Sequence, residues 1–164
     1  IIIMITIDNT CMNSVLLASA SEVFETMIFM DLEQSFDTEP QISEDTLLSS
    51  ITFKGDLDGC LTICSSSDCA KSIGRNMLGM DPQENISMED TYDALGEVAN
   101  MVMGSIKTKI QQNTANISVS IPMVVSGNNI VTNLSDSSAI KTLVKVTIDS
   151  QYIAEFCLLY KVNA

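Results

Sequence analysis

The 164-residue chain has no histidine, only three prolines, and eight Lys and Arg together against 21 Asp and Glu. Each shortage excludes something. Without clustered Lys and Arg nothing neutralises a phosphate backbone, so nucleic acid is not expected as a partner. The net charge of −13 disfavours an anionic membrane surface and suits a partner that presents positive charge. Lack of histidine removes the commonest metal ligand. The five cysteines, Cys11, Cys60, Cys64, Cys69 and Cys157, lack paired Cys-x-x-Cys spacing, so no metal or cofactor is expected on this chain. Their odd number, with no secretory signal, points to reduced thiols in the cytoplasm. Long apolar runs are missing too. The opening "IIIMITI", residues 1–7, is too short for a membrane span and has neither a basic flank nor a cleavage site. It reads as a short buried strand. The chain begins without methionine, so a few residues are expected to precede it.

What is present is enough for a core. Hydrophobic residues make up 46%, and the length suits one domain spanning 1–164. A first helix is expected from a cap at Asn13 or Ser14 to about Asp31, followed by an acidic surface loop over 31–45 that contains Pro40. Strands are expected over 47–54 and 57–64, around a turn carrying Gly55, Asp56, Asp58 and Gly59. Ser66 or Ser67 caps a helix that Gly79 ends, and Ser87 with Asp90 forms a box opening a long helix. Ile117, Val119 and Ile121 alternate in a strand that Pro122 closes, residues 130–134 read as a short strand, and 140–148 with 152–160 form a hairpin through Asp149 and Ser150. The expected class is α+β: a mostly antiparallel sheet of about six strands with two to three helices.

The long helix, residues 90–112, organises the rest. Leu95, Val98, Ala99, Val102, Ile106 and Ile110 fall on one stripe at helical spacing. The opposite side collects Asp93, Glu97, Asn100, Gly104, Thr108 and Gln111, with Met101 and Met103 flanking it. Glu97 and Asn100, three apart, are neighbours on the helix surface. Gly104 costs about 1 kcal/mol relative to alanine in a helix interior. It lies on the polar side, so core packing does not explain it; it leaves room for another surface to approach. The blander reading is a solvated face with a tolerated glycine.

Glu97-Val98-Ala99-Asn100 with Gly104, preceded by Gly96 and followed by "SVSIPMVVSG", resembles the CheC/CheX/FliY family of chemotaxis phosphatases. The resemblance extends upstream through "DLDGCLTICSSSDCAKSIGRNMLG" and is nearest to the single-motif CheX layout. It implies hydrolysis of the aspartyl phosphate of a CheY-type response regulator. Asn100 would orient the attacking water and Glu97 would pair with the regulator's lysine. Asp93, Met101, Gly104 and Thr108 would border the partner. Magnesium would belong to the regulator, and a homodimer is expected.

A weaker echo, Glu22-Val23-Phe24-Glu25, occurs on the first helix, with Glu25 in place of the amide and Phe29 in place of the glycine. It reads as scaffold. Two alternatives stand beside the phosphatase: a non-catalytic module binding a response regulator or a flagellar switch, and a haloacid-dehalogenase-type phosphatase using Asp56 of Asp56-Leu57-Asp58-Gly59.

Overall fold

The structure, a computed structural model, describes residues 9–37, 45–110, 116–128, 130 and 137–163. In chain order it contains α1 (Asn9–Val23), a π-helical turn (Phe24–Ile28), β1 (Leu32–Gln34), β2 (Thr46–Gly55), β3 (Leu57–Ser66), α2 (Ser67–Leu78), α3 (Met88–Ile110), β4 (Ile117–Val119), β5 (Met123–Gly127), β6 (Ile140–Ile148) and β7 (Tyr152–Val162). Among the described residues seven strands form one antiparallel sheet in the order β1-β6-β7-β3-β2-β4, with β5 also paired to β2. The fold is α+β, with three α-helices against the sheet.

Period-two burial decides which face of the sheet meets the helices. Leu47, Ile51 and Phe53 of β2, Leu61 and Ile63 of β3, Val144 and Val146 of β6, and Phe156, Leu158 and Tyr160 of β7 are all buried. Phe24 and Phe156 meet edge to face, their centroids 6.1 Å apart. α3 packs against α1, α2 and β2. Gly74 of α2 allows that closeness: a Cβ there would sit 2.6 Å from Ile86 Cδ1 and 3.6 Å from Ala94 Cβ.

Local punctuation follows the sequence in several places. The Ser66 hydroxyl accepts from Cys69 N at 3.2 Å to open α2, and Gly79 closes it at φ 66°. At the start of α3, Asp90 N donates to Ser87 Oγ at 3.0 Å, and that hydroxyl donates to Asp90 Oδ2 at 2.7 Å. Asp149 and Ser150, at φ 50° and 53°, turn β6 into β7. Two successive left-handed residues match the twist of a tight hairpin.

Elsewhere the expectations need correction. Among the described residues α1 begins at Asn9, not at a cap on Asn13 or Ser14. The acidic loop contains β1, which pairs with β6 from Leu32–Ile148 to Gln34–Val146. Asp58 and Gly59 lie inside β3 rather than in a turn; β2 runs through Gly55 and β3 starts at Leu57. Gly59 marks a close crossing, since a Cβ there would meet Leu159 O at 2.0 Å. The strand expected to reach Ile121 stops at Val119, and a separate strand begins after Pro122. The expected strand over 1–7, most of that over 130–134, and Gln111 lie outside the described residues.

Candidate functional site

The apolar stripe of α3 is buried throughout: Leu95, Val98, Ala99, Val102, Ile106 and Ile110 all join the core. That burial turns the opposite face outward. Asp93, Glu97, Asn100, Gly104 and Thr108 are all exposed. A Cβ on Gly104 would meet nothing within 4 Å, so the glycine answers no packing demand. Thr108 Oγ1 donates to Gly104 O at 3.0 Å, so this hydroxyl is turned back onto its own helix. Met101 is half-buried and packs against the core. Met103 does not flank the polar face as expected; it is fully buried. Met103 is seven residues on from Gly96, so it shares the side of α3 that meets Pro122 and Val124, and the buried arc is wider than one stripe.

Two bonds set the helix in place. The buried Ser49 hydroxyl of β2 donates to Leu95 O at 3.0 Å, in the turn that leads to Glu97. Tyr92 Oη donates to Ser126 Oγ of β5 at 2.7 Å. Further along, Lys109 Nζ bonds Glu22 Oε2 and donates to Ser105 Oγ at 2.8 Å, which joins the end of α3 to α1. The ammonium and the Ser105 hydroxyl hold the Glu22 carboxyl below the usual carboxylate range. Glu22, the echo's counterpart of Glu97, is thus engaged in a helix–helix tie. Phe29, the counterpart of Gly104, is not helical: it caps the π turn at φ 61° and is 75% exposed.

A groove opens beside the motif, lined by Tyr92, Asp93, Gly96, Glu97, Asn100, Ile121, Pro122 and Val124. One wall is polar and acidic and comes from α3. The other is apolar and comes from the segment joining β4 to β5 and from Val124 of β5. Gly96 is where the walls meet: a Cβ on it would lie 3.5 Å from Pro122 Cγ and 3.9 Å from Val124 Cγ2. Sequence reasoning found the polar wall but missed Tyr92, Ile121 and Val124. The available signal was Ile121-Pro122, an apolar residue held next to a strand breaker.

The other candidates resolve as structure. Asp56 Oδ2 accepts from Asn116 N at 3.0 Å, and Asp58 Oδ1 accepts from Gly55 N at 3.0 Å. The Gly55 bond first, then the Asn163 side chain, lowers the Asp58 carboxyl below its ordinary value. Both aspartates brace an antiparallel hairpin, a poor place for a nucleophile that needs a buried strand running straight into it. Among the described residues, no three His, Cys, Asp or Glu side chains converge as a metal site would require. No described helix is long and apolar enough to cross a membrane.

The sequence model of the family described as chemotaxis phosphatase CheX matches residues 47–145. Solved structures agree. The chemotaxis protein CheX from Vibrio vulnificus is 25% identical, with a TM-score of 0.74 over 90% of this chain and 95% of that one. The Borrelia burgdorferi CheX–CheY–BeF3–Mg2+ complex matches at 16% identity and a TM-score of 0.68, covering 94% and 99% of the two chains. Thermotoga maritima FliY shares the fold at 16% identity and a TM-score of 0.65, covering 96% and 91%. No curated protein sequence matches the chain. The family match spans more than half of the sequence and contains the whole Glu97-to-Gly104 segment, so the chain belongs to the chemotaxis phosphatase CheX family.

Proposed function

We propose that this protein hydrolyses the aspartyl phosphate of a CheY-type response regulator, with Glu97 and Asn100 carrying the work. The observation that carries this reading is the exposure of both side chains, one helical turn apart, on a helix whose other faces are locked into the core. Phosphoryl transfer asks mainly for positioning, because an acyl phosphate needs only a water in line with the scissile bond. A neutral carboxamide suits that task. Its oxygen accepts a hydrogen bond from water and adds no charge against the phosphoryl oxygens.

Asn100 reaches into the regulator's pocket and orients the attacking water. Glu97 pairs with the lysine there and sets the docking geometry. Gly104 keeps the helix surface low beside Asn100, and Asp93 and the half-buried Met101 border the contact, with Thr108 at its far end. The Borrelia neighbour was solved with CheY, beryllofluoride and magnesium, which supports a partner of this kind; in this reading magnesium belongs to the regulator. A homodimer and a cytoplasmic location complete the proposal.

The test is the decay of a phosphorylated regulator from the same cell. Wild-type protein accelerates decay. Asn100→Ala abolishes the acceleration while binding and fold persist, and Glu97→Ala chiefly weakens docking. Normal turnover by Asn100→Ala refutes the assignment. Binding with unchanged decay leaves only a binding role.

A further inference from the structure

The apolar wall of the groove has one member that folding alone does not explain. Ile121 is 89% exposed, more than any other large hydrophobic side chain described. A single exposed isoleucine is ordinary; the way this one is supported is not. Ser120 N donates to Thr52 O at 2.9 Å, and Thr52 N donates to Ser120 Oγ at 3.0 Å. On the other side Pro122 rests against Gly96, and Met123 pairs in register with Ser50. The bridge over 120–122 is therefore tied to β2 at both ends and to α3 in the middle. Ile121 is held outward at the rim of the groove that contains Glu97 and Asn100. A backbone segment fixed before docking loses little freedom on binding, so burial of the side chain it carries goes largely into affinity.

We infer that Ile121 is an apolar docking residue, which buries against the regulator's surface beside the phosphorylated aspartate while Glu97 and Asn100 engage the pocket. This rests on the phosphatase reading above and adds the contact on the opposite wall. The occupant is a partner with a cation inside its pocket and an apolar rim outside it, because the groove offers carboxylates on one wall and Ile121, Pro122 and Val124 on the other. A second copy of this chain fits poorly. A two-fold contact over the groove is self-complementary, so it brings Asp93 and Glu97 of both copies together, and the like charges repel.

The experiment compares Ile121→Ser and Ile121→Leu with wild type. The probe is a CheY-type regulator from the same cell, loaded with beryllofluoride and magnesium, for the Kd; the phosphorylated regulator supplies KM and kcat. Ile121→Ser is expected to raise Kd and KM about tenfold, the loss expected for one buried aliphatic contact. Turnover at saturation, melting temperature and oligomeric state stay unchanged, and Ile121→Leu restores affinity. An unchanged Kd overturns the inference. So does a fall in kcat at constant Kd, or a change of oligomeric state at constant Kd, which assigns Ile121 to self-association. An inactive Asn100→Ala beside an unaffected Ile121→Ser defeats only the docking role. An active Asn100→Ala defeats the role given to Asn100, and no binding of any regulator by wild-type protein defeats the phosphatase reading together with the docking role.

Discussion

The Ser49 hydroxyl of β2 donates to the carbonyl oxygen of Leu95 at 3.0 Å, inside the core and directly beneath the turn that presents Glu97. β2 also pairs with β4 and β5, which flank the apolar wall. One strand therefore sets the position of both sides of the groove. Ser49→Ala removes this bond without adding bulk. The expected loss is about 1 kcal/mol of stability, or roughly 2–4 °C in Tm, measured by calorimetry.

Gly104 offers a sharper test, because stability and activity should move in opposite directions. With nothing within 4 Å of a new Cβ and no left-handed φ, alanine fits. Gly104→Ala should stabilise α3 by about 1 kcal/mol. Gly104→Leu covers the helix surface beside Asn100 and should raise KM for the phosphorylated regulator. A protein made firmer yet less effective is the outcome expected where a helix position serves contact rather than folding.

Acid titration tests the α1–α3 tie. Lys109 and Ser105 hold the Glu22 carboxyl below its ordinary value of 4.5. A carboxyl depressed in the folded state contributes stability that is fully present above its unfolded value and lost as pH falls through the folded one. The Tm gap between wild type and Glu22→Gln should therefore be largest near neutrality and close as pH drops below 4.5. The gap is expected to be small, because exposed ion pairs contribute little.

The thiols should divide by burial. Desolvation pushes Cys64 up to about 11 and Cys69 up to about 12, and it raises Cys60 and Cys157 as well. At pH 8 the thiolate fraction is then about one in a thousand for Cys64 and one in ten thousand for Cys69. Mass spectrometry after brief iodoacetamide treatment should find label on exposed Cys11, with Cys69 modified only in denaturant.

The parts legible in the sequence were those with a local chemical cause. The stripe from Leu95 to Ile110, the Ser66 cap, the Ser87–Asp90 box and the Asp149–Ser150 turn each follow from neighbours a few residues apart. β1 was hidden because three residues in an acidic stretch form a strand only by pairing with β6, more than a hundred positions away. β5 was hidden behind Pro122, since nothing nearby signals that the chain resumes pairing with β2. Met103 shares the Gly96 side of α3, which meets Pro122 and Val124 only once the chain has folded. The polar wall of the groove could be read from one helix, whereas the apolar wall exists only because Pro122 is brought against Gly96.

The left-handed backbone of Phe29 bears on the ancestry of the echo in α1. If two copies once matched, the divergence has moved from side chains into the main chain. Exchanging Glu25 for asparagine and Phe29 for glycine would restore the letters of the motif but not the rod that displays them, because the α-helix has already ended at Val23. Silencing of that half would then be a one-way step, reversible only by rebuilding a turn of helix.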